Sequence, residues 1–208
     1  MQVKISIVIP VLNNLYGLKK TIESIQNQTF RNFEVWVIDG NSNQESQKYL
    51  KSLKKPFYYK SENDEGIYDA MNKGVALSKG EWLFFLGAGD TLFDEKVLEK
   101  VINLNIDRKT SIISGSILYT GSNQAFVYSK KNRIKKASWS YFMWIRNGLH
   151  HQGTFYKSNV FLNKKFNTNY KILADYYFNL SLFVEKENCY LIDSFIAKCT
   201  SDGVSNPI

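Results

Sequence analysis

Strand-like and helix-like patterns alternate along the first half of the chain, and this alternation restricts the fold more than any other feature. Short runs of β-branched and other bulky apolar residues, which suit buried strands, occupy residues 3–9, 33–38, 57–60 and 82–86. Between these runs, helix patterns occupy residues 15–28, 42–53 and 67–77. Strands that alternate with helices of this length form parallel sheets with right-handed crossovers. We therefore predict an α/β fold with a central, mostly parallel sheet and helices on both faces.

Candidate capping residues mark the starts of three predicted helices. Asn13 or Asn14 precedes the first helix. Ser42 with Glu45 three residues later matches a capping box for the second. Asp94 is the predicted cap of a further helix that follows the strand at residues 82–86.

The pattern changes after residue 105. Strand candidates at residues 111–118, 125–128, 153–156 and 189–196 have no long helices between the first two of them. A last helix is predicted at residues 171–184, with an inward stripe made of Leu173, Tyr177, Leu180 and Phe183 or Val184. The sequence contains no repeat, low-complexity tract or linker. We therefore predict one domain with an irregular second half.

The composition indicates a folded protein with an anionic partner. Of the 208 residues, 44% are hydrophobic, and the formal net charge is +8. No apolar run reaches the roughly 18 residues that span a bilayer, and the amino terminus lacks a signal-peptide pattern, so we expect a cytoplasmic protein.

Basic and then aromatic side chains are concentrated in residues 130–146. Such a stretch suits contact with anionic headgroups or a lipid-pyrophosphate-linked molecule at a membrane surface. Nucleic acid is the rival partner, but no helix-turn-helix, zinc-finger, RRM or KH pattern accompanies the charge. A solvated loop beside a core helix is the structural alternative.

The stretch EWLFFLGAGD, residues 81–90, places a carboxylate at the end of a buried strand. Gly87 and Gly89 let a bulky ligand approach the main chain. In open α/β sheets, ligands bind at the carboxyl ends of the strands. Asp90 is therefore a candidate ligand-binding residue, and a turn with a helix-capping aspartate is the alternative.

The usual phosphate-binding loops are absent from the sequence. The turn after the first strand reads PVLNNLYGL, with one glycine where a GxGxxG motif needs three, and no GxxxxGK[ST] loop occurs. A bound diphosphate would need another anchor. A metal ion on Asp90 is the most direct one, because hard cations bridge carboxylates and phosphate oxygens.

Several motifs in order give the chain a resemblance to a known family. The segments IPVLNN, NFEVWVIDGNS and SENDEGIYDAMNKGVALSKGEWLFFLGAGD resemble the GT-A domain of glycosyltransferase family 2, the inverting nucleotide-sugar transferases that include builders of bacterial surface polysaccharides. The resemblance weakens after residue 105, although HHQGTFY and KILADYYF are similar to the family's acceptor-side segments. It implies a Rossmann-like GT-A domain over residues 1–208, with a nucleotide-sugar-binding half at 1–105 and an acceptor-binding half at 106–208.

The resemblance also implies roles for residues at the ends of the first two strands. In the family, the turn that contains Pro10, Val11 and Asn13 lines the nucleoside. The acid that ends the second strand, here Asp39, binds the base, most often uracil, whose imide N–H a carboxylate can accept. An ordinary Asp-Gly turn is the alternative for Asp39.

A further set of implied residues surrounds the diphosphate. Where the family often reads DADD, this chain reads Gly87-Ala88-Gly89-Asp90, so two acids are missing. Asp90 is left as the ligand for Mg²⁺ or Mn²⁺, with Ala88 and Gly89 beside the donor. The metal would then depend on the diphosphate and water for its other ligands.

The remaining candidates are Asp64 and Asp69, which resemble part of the family's donor pocket, and two residues of the second half. His151 belongs to a His-Gln pair that lines the acceptor or donor-sugar side in the family. Asp175, in LADYY, matches the catalytic base, and we expect its apolar and aromatic neighbours to raise its pKa.

Each of these candidates has a structural alternative. Asp69 with Lys73 matches an i,i+4 ion pair. His151 fits a hydrogen-bonded core or surface histidine, and Asp175 fits a first-turn aspartate stabilised by the helix dipole. The segment SDGVSN, residues 201–206, is either a lid over the diphosphate or a loose tail.

Together these features predict an inverting glycosyltransferase that moves a sugar from a UDP-sugar, with Mg²⁺ or Mn²⁺, onto a saccharide acceptor. The resemblance implies a lipid-linked acceptor in bacterial polysaccharide, O-antigen or capsule biosynthesis, and no nucleic-acid partner. A catalytically impaired nucleotide-sugar-binding partner subunit and a basic nucleic-acid-binding protein are the alternatives.

Overall fold

A computed structural model, which describes residues 3–120 and 133–200, is built around one mixed β-sheet. Its strands are β1 (Ile5–Val11), β2 (Phe33–Asp39), β3 (Phe57–Ser61), β4 (Trp82–Phe85), β5 (Thr91–Leu92), β6 (Thr110–Thr120), β7 (Ile134–Lys135), β8 (Thr154–Lys157) and β9 (Asn188–Thr200). The helices are α1 (Leu15–Gln26), α2 (Gln44–Ser52), α3 (Ile67–Leu77), α4 (Val97–Ile102) and α5 (Ala174–Val184). Short 3₁₀ helices occupy Tyr141–Trp144, His151–Gly153 and Ser158–Phe161.

The strand order of the sheet is β3-β2-β1-β4-β8-β6-β9-β5, and β7 pairs with β6. β3, β2, β1 and β4 run parallel to one another. β8 lies antiparallel between β4 and β6, whereas β9 runs parallel to β6. Most paired residues therefore lie in parallel pairs, and the predicted single α/β domain is confirmed.

Helices cover both faces of the sheet, as predicted. On one face, Ile7 of β1 belongs to a core cluster with Leu18 of α1. On the other face, Val8 belongs to a cluster with Met71 of α3 and Phe178 of α5. Because successive residues of β1 point to opposite faces and both are buried, this strand reads as a continuous apolar run.

One of the three predicted helix caps is correct. Asn14 caps α1, and its side chain accepts a hydrogen bond from the backbone N–H three residues later. The predicted capping box of Ser42 and Glu45 is wrong, because Asn43 caps α2. Ser42 instead binds the turn after β1, because its Oγ accepts a hydrogen bond of 2.7 Å from the N–H of Asn13.

The start of α4 also differs from the prediction. Asp94 accepts a hydrogen bond of 2.9 Å from the N–H of Lys96, but Lys96 itself is the cap residue. The Asp94 carboxylate also forms an ion pair with Lys100 at 2.7 Å. The predicted cap at Asp94 is therefore two residues too early.

In the second half, three of the predicted strands coincide with β6, β8 and β9. The predicted strand at residues 125–128 and the segment at 201–206 lie outside the part of the chain that the structure describes.

The inward face of α5 differs from the predicted stripe. Leu173 precedes the helix and is 57% exposed, and Tyr177 is 51% exposed. The buried side chains include Asp175 and Asn179, whose polar groups point inward. The spacing of apolar residues predicted the wrong buried face for α5. This helix directs two polar side chains into the protein, where they form hydrogen bonds.

Candidate active site

The carboxyl ends of β1 and β2 form the edge of the sheet at which the predicted nucleoside-binding residues lie. Val11 pairs with Asp39 at the ends of these two strands. The N–H of Gly40 donates a hydrogen bond of 2.9 Å to the carbonyl oxygen of Val11. Pro10 and Val11 are buried at the end of β1, so they form part of the interior side of this edge.

Asn13 joins the turn after β1 to the turn after β2. Its φ of 51° lies in the left-handed region, which asparagine tolerates. Its N–H donates to Ser42 Oγ at 2.7 Å, and its Oδ1 accepts a hydrogen bond of 2.9 Å from the N–H of Asn43. The two turns are therefore held as one surface.

The turn between β4 and β5 is held by two side chains of the α1 region. Thr21 Oγ1 donates a hydrogen bond of 2.7 Å to the carbonyl oxygen of Asp90 and accepts one of 2.9 Å from the N–H of Gly89. Asn14 Nδ2 donates to the carbonyl oxygen of Ala88 at 2.9 Å. Gly89 has a φ of 113°, which favours glycine at this position.

The Asp90 carboxylate is buried, and both of its oxygens accept hydrogen bonds from distant parts of the chain. Oδ1 accepts from the backbone N–H of Thr200 at 2.9 Å, and Oδ2 accepts from Gln152 Nε2 at 3.2 Å. Burial raises the pKa of Asp90, and these two hydrogen bonds partly oppose that rise. Asp90 precedes β5 and caps no helix, so the helix-cap alternative is wrong.

Asp90 can supply one ligand to a divalent cation. Within residues 3–120 and 133–200, no three His, Cys, Asp or Glu side chains converge on a point that could hold a metal. One carboxylate is compatible with Mg²⁺, which commonly keeps several waters and binds through one or two carboxylates plus substrate phosphates. The donor set therefore fits a cation that arrives with a diphosphate.

A second buried carboxylate, Asp175, lies in the first turn of α5. Its Oδ2 is 3.1 Å from His151 Nδ1 and accepts a hydrogen bond of 3.4 Å from Asn147 Nδ2. Its Oδ1 accepts hydrogen bonds from Tyr68 Oη at 3.1 Å and from the N–H of Tyr176 at 2.8 Å. These contacts fix the carboxylate in one orientation.

The pKa of Asp175 has the opposite direction from that of Asp90. Burial acts to raise it, but the hydrogen bond and charge of His151 outweigh burial and hold the pKa below its usual value. The expectation that apolar neighbours raise this pKa is therefore wrong in its net direction. The sequence did not reveal that a histidine would lie against the carboxylate.

One short segment contacts both carboxylates. The 3₁₀ helix His151–Gly153 contains His151, which contacts Asp175, and Gln152, which donates to Asp90. The preceding residue, His150, is partly buried, and its Nε2 lies 2.8 Å from Tyr119 Oη. Burial, reinforced by the charge of His151, lowers the pKa of His150 to about 3, so this ring is neutral near pH 7.

Asp39 is fully buried and its carboxylate is occupied by protein donors. Oδ2 accepts hydrogen bonds of 2.6 Å from Gln47 Nε2 and from Ser61 Oγ. The N–H of Ser42 lies 3.1 Å from Oδ2 and 3.3 Å from Oδ1. This network fastens the turn after β2 to α2 and β3.

Asp64 and Asp69 lie around the loop before α3 and have different surroundings. Asp64 Oδ1 accepts a hydrogen bond of 3.0 Å from the N–H of Gly66. Asp69 forms an ion pair with Lys73 at 2.9 Å and accepts a hydrogen bond of 3.1 Å from the N–H of Glu65. The hydrogen bond from Lys73 lowers the pKa of Asp69, and the i,i+4 pair that the sequence left open is present.

An exposed aromatic turn lies beside α5. We call residues 141–145 the aromatic turn. Its Met143 is buried, and the carbonyl oxygen of Met143 accepts a hydrogen bond of 2.8 Å from Tyr176 Oη of α5. Four of its side chains are more than half exposed: Tyr141, Phe142, Trp144 and Ile145. Arg146 lies over the ring of Phe142 at 5.6 Å. None of the helices in residues 3–120 and 133–200 combines the length and apolar character needed to cross a bilayer.

Several residues of these networks were not singled out from the sequence. They are Gln47, Ser61, Tyr68, Asn147 and Thr200. None of them stands in a motif of its own, and each meets its carboxylate only through the tertiary fold. Gln152 had a signal, because it follows two consecutive histidines.

Comparison with known proteins identifies the family. Residues 6–173 match the model of the family described as "Glycosyl transferase family 2". The chain belongs to glycosyltransferase family 2. A "PGL/p-HBAD biosynthesis glycosyltransferase" of Mycobacterium bovis is 30% identical over 184 residues, which cover 86% of this chain and 69% of that protein. An uncharacterized glycosyltransferase of Mycobacterium tuberculosis is 36% identical over 100 residues, which cover 47% of this chain and 38% of that protein.

Solved structures of glycosyltransferases share the GT-A fold of this domain. TarS of S. aureus, residues 1–349 in complex with UDP, superimposes with a TM-score of 0.73 at 16% identity over 95% of this chain. The match spans 60% of that TarS chain. The mannosyltransferase PcManGT from Pyrobaculum calidifontis, in complex with GDP-Man and Mn²⁺, gives a TM-score of 0.68 at 12% identity, covering 94% of this chain and 56% of its own.

Proposed function

We propose that this glycosyltransferase domain transfers a sugar from a UDP-sugar to a saccharide acceptor with inversion at the anomeric carbon. The observation that carries the proposal is the pair of buried carboxylates, Asp90 and Asp175, contacted by consecutive residues of one turn. TarS structures with UDP and with UDP-GlcNAc support a UDP-sugar as the donor. Residues 1–105 would bind this donor and residues 106–208 the acceptor.

On the donor side, Asp90, Ala88 and Gly89 would border the diphosphate, and Asp90 would hold Mg²⁺ or Mn²⁺ together with the diphosphate oxygens. A bound divalent cation supplies positive charge that stabilises the departing nucleoside diphosphate. The buried Asp90 carboxylate favours such a cation, because a positive charge offsets the burial that raises its pKa.

On the acceptor side, Asp175 would act as the general base. The acceptor oxygen attacks the anomeric carbon, the bond from that carbon to the diphosphate oxygen breaks, and the hydroxyl proton passes to the Asp175 carboxylate. Asp175 is ionised near pH 7 and so is in the form that accepts a proton, although its lowered pKa also makes it a weaker base. Tyr68 and His151 would orient it through their contacts with its two oxygens.

We assign a lipid-linked saccharide as the acceptor class, in the biosynthesis of a bacterial surface polysaccharide or glycolipid. Exposed aromatic side chains next to a basic segment suit a membrane interface, and the aromatic turn contacts α5, the helix that carries Asp175. Peripheral membrane contact would involve residues 130–146, of which the structure describes 133–146. The mycobacterial relative, named for PGL/p-HBAD biosynthesis, supports a glycolipid product.

The test is a donor assay on purified protein with a panel of UDP-sugars and Mn²⁺, measuring UDP release with and without lipid-linked acceptors. Asp175→Asn is expected to lower the turnover roughly 10²- to 10⁴-fold, with the Kd for UDP unchanged. Asp193→Asn makes the same chemical change at an exposed position and should leave both unchanged.

Two outcomes would contradict the proposal. Full turnover in Asp175→Asn would contradict the assignment of Asp175 as the general base. UDP binding without any release of UDP from any donor would favour the alternative of a nucleotide-sugar-binding partner subunit.

A further inference from the structure

Lys135, in β7, differs from the other half-buried lysines of residues 3–120 and 133–200, because each of those has a partner. Lys60, Lys73 and Lys164 form ion pairs, Lys157 donates to a backbone carbonyl oxygen, and Lys198 lies over the ring of Phe93. Within the same ranges, no acceptor hydrogen-bonds to the Lys135 ammonium and no carboxylate pairs with it. Buried charges are normally paired, so this ammonium is suited to an anion that the protein itself does not supply.

Strand pairing directs Lys135 toward the segment that contacts both buried carboxylates. β7 runs antiparallel to β6, and Lys135 pairs with Ile117. Residues that lie directly opposite each other on paired strands project from the same face. On that face of β6, a methyl group on Gly153 would lie 2.9 Å from Ile117 Cγ2, and Tyr119 Oη lies 2.8 Å from His150 Nε2. Lys135 therefore shares the face of β6 against which this segment packs.

The charges that act on Lys135 agree with this placement. Burial lowers the pKa of Lys135, the charge of Asp175 opposes that shift, and the charge of Arg146 adds to it. The charge of Lys135 also contributes to the lowered pKa of His150. Because the interaction between two charges weakens with distance, Lys135 lies near both Asp175 and Arg146.

Arg146 reaches the same region from a different segment. The next residue, Asn147, donates a hydrogen bond of 3.4 Å to Asp175 Oδ2. The N–H of Arg146 donates one of 3.0 Å to the carbonyl oxygen of Phe142, and its guanidinium lies 5.6 Å from the centre of that ring. No carboxylate within residues 3–120 and 133–200 pairs with this guanidinium. Two cations from separate segments thus lie near the proposed base.

A phosphate group suits this pair of cations. A lysine ammonium binds phosphate as a compact point charge, and an arginine presents two parallel N–H donors to its oxygens. A bound anion would also offset the burial that lowers the pKa of Lys135. Asp175 does not take this place, because its oxygens already accept hydrogen bonds from Tyr68 and Asn147 and contact His151. Its negative charge repels a phosphate, so the two cations supply the attraction that the site needs.

We propose that Lys135 and Arg146 bind a phosphate group of the acceptor next to Asp175. The inference rests on the proposed function, which places the acceptor hydroxyl at Asp175. Exposed Phe142 and Trp144 favour the acceptor as the source, because they offer an apolar surface near Arg146 for a lipid chain. The reacting sugar is then the one bonded directly to the phosphate, because the cations and the base are close together. The diphosphate of the donor has the same chemistry and is the other source.

Octyl phosphate, which has one phosphate and a short apolar chain, is the probe, and octyl glucoside is its neutral counterpart. Calorimetry with UDP and Mn²⁺ present, below the concentrations at which either compound forms micelles, should show tighter binding of octyl phosphate. Lys135→Met keeps the length of the side chain and removes its charge. It should weaken octyl phosphate binding roughly tenfold to hundredfold and leave octyl glucoside binding unchanged.

Three further variants define the charge requirement. Arg146→Gln should weaken octyl phosphate binding by a smaller factor, because this guanidinium is exposed to solvent. Lys135→Arg keeps a positive charge and should retain most of the binding. Lys109→Met removes a charge from an exposed position in the same half of the chain and should bind octyl phosphate as the wild-type protein does. The melting temperature of Lys135→Met should not fall, because a half-buried ammonium without a partner does not stabilise the fold.

Binding of UDP with Mn²⁺ distinguishes the two sources of phosphate. A site for the acceptor predicts that Lys135→Met leaves the Kd for UDP unchanged. Weaker UDP binding together with unchanged octyl phosphate binding would overturn the acceptor assignment in favour of the diphosphate of the donor.

The outcomes also separate this inference from the proposed function. Unchanged octyl phosphate binding in both Lys135→Met and Arg146→Gln, with turnover lost in Asp175→Asn, would overturn the phosphate site alone. An equal loss of binding in Lys109→Met would also overturn it, because binding would then follow net charge. Octyl phosphate binding that depends on Lys135, without UDP release from any donor, would support the phosphate site and overturn the proposed transferase function.

Discussion

Each half of the molecule contributes one of the two carboxylates that the turn His151–Gly153 contacts, and the two are stabilised in different ways. Asp90, from the first half, accepts hydrogen bonds from neutral groups, the backbone N–H of Thr200 and the amide of Gln152. Asp175, from the second half, lies against His151. Burial acts to raise both pKa values, and only the histidine partner reverses the net direction.

This difference suits two different tasks. A carboxylate that burial makes costly to ionise gains from a positive ligand, which fits a cation site. A carboxylate held ionised and oriented by a histidine can accept a proton, and because a lowered pKa weakens a base, its fit to general-base catalysis rests on its position and orientation. The environment of each acid, rather than its residue type, separates the proposed roles of Asp90 and Asp175.

Apart from Asp175→Asn, the largest effect should come from Asp90→Asn, because it removes the proposed cation ligand. Turnover is expected to fall roughly 10²- to 10³-fold, with weaker binding of UDP in Mn²⁺. The amide NH₂ would also face a donor, Thr200 N–H or Gln152, so we expect a loss of about 1–3 kcal/mol of unfolding free energy. Donor assays and chemical denaturation measure the two effects, and Asp193→Asn is the exposed control.

For Asp90, unchanged Mn²⁺-dependent UDP binding in Asp90→Asn would contradict the cation role. A loss of stability with full turnover would leave Asp90 as a structural residue only, and the comparison between the halves would then lose its functional meaning.

His151→Gln should have an intermediate effect and sharpen the comparison through pH. The glutamine can still donate to Asp175 but carries no charge, so the pKa of Asp175 is expected to rise. Because the ionised base is the active form, the acid limb of the pH profile of kcat/KM should move to higher pH. On that limb, kcat/KM falls about tenfold for each unit by which the pKa rises.

His150→Gln is the matched control for that shift. His150 has a pKa of about 3 and is neutral over the working range, and its contribution to the lowered pKa of Asp175 ranks below that of His151, so this variant should shift the acid limb less than His151→Gln does. It should instead alter acid stability. The folded pKa lies below the unfolded value of about 6.5, so the wild-type protein loses stability as pH falls from that value, and His150→Gln should lose less. An equal shift of the acid limb in both variants would contradict a specific role for His151.

Replacing Phe142 and Trp144 with serine should give the smallest effect on the isolated domain. Both side chains are more than half exposed, so the unfolding free energy should change by less than about 0.5 kcal/mol for each. Binding to vesicles that contain anionic lipid should weaken roughly tenfold or more, measured by sedimentation. Tyr16→Ser, at an exposed tyrosine of α1, is the control. Unchanged vesicle binding in the Phe142 and Trp144 variants would contradict a membrane-binding role for the aromatic turn.

The first half of the fold follows closely from its sequence because β1, β2 and β4 are buried on both faces. Continuous apolar runs predicted β1, β2 and β4, and the residues after these strands meet at the edge where Asp39 and Asp90 lie. The partners of these acids were not predictable. Asp39 meets Gln47 and Ser61, and Asp90 meets Thr200, only after helices and strands that are distant in sequence have packed together.

The second half was less predictable because polar groups occupy its interior. Asp175 and Asn179 point inward from α5 and shift the buried face away from Leu173 and Tyr177. The motif singled out Asp175, but the direction of its pKa depends on His151, 24 residues earlier in the chain. Spacing rules assume that buried faces are apolar, and they fail where a site is built into the core.

A crystal structure of the protein with UDP and Mn²⁺ tests the central claim most directly. We expect the diphosphate and one Mn²⁺ ion beside the carboxylate of Asp90, the uracil ring at the carboxyl ends of β1 and β2, and Asp175 facing the open side of the diphosphate where the acceptor would enter. An Asp90 side chain with neither ion nor phosphate near it would contradict the account.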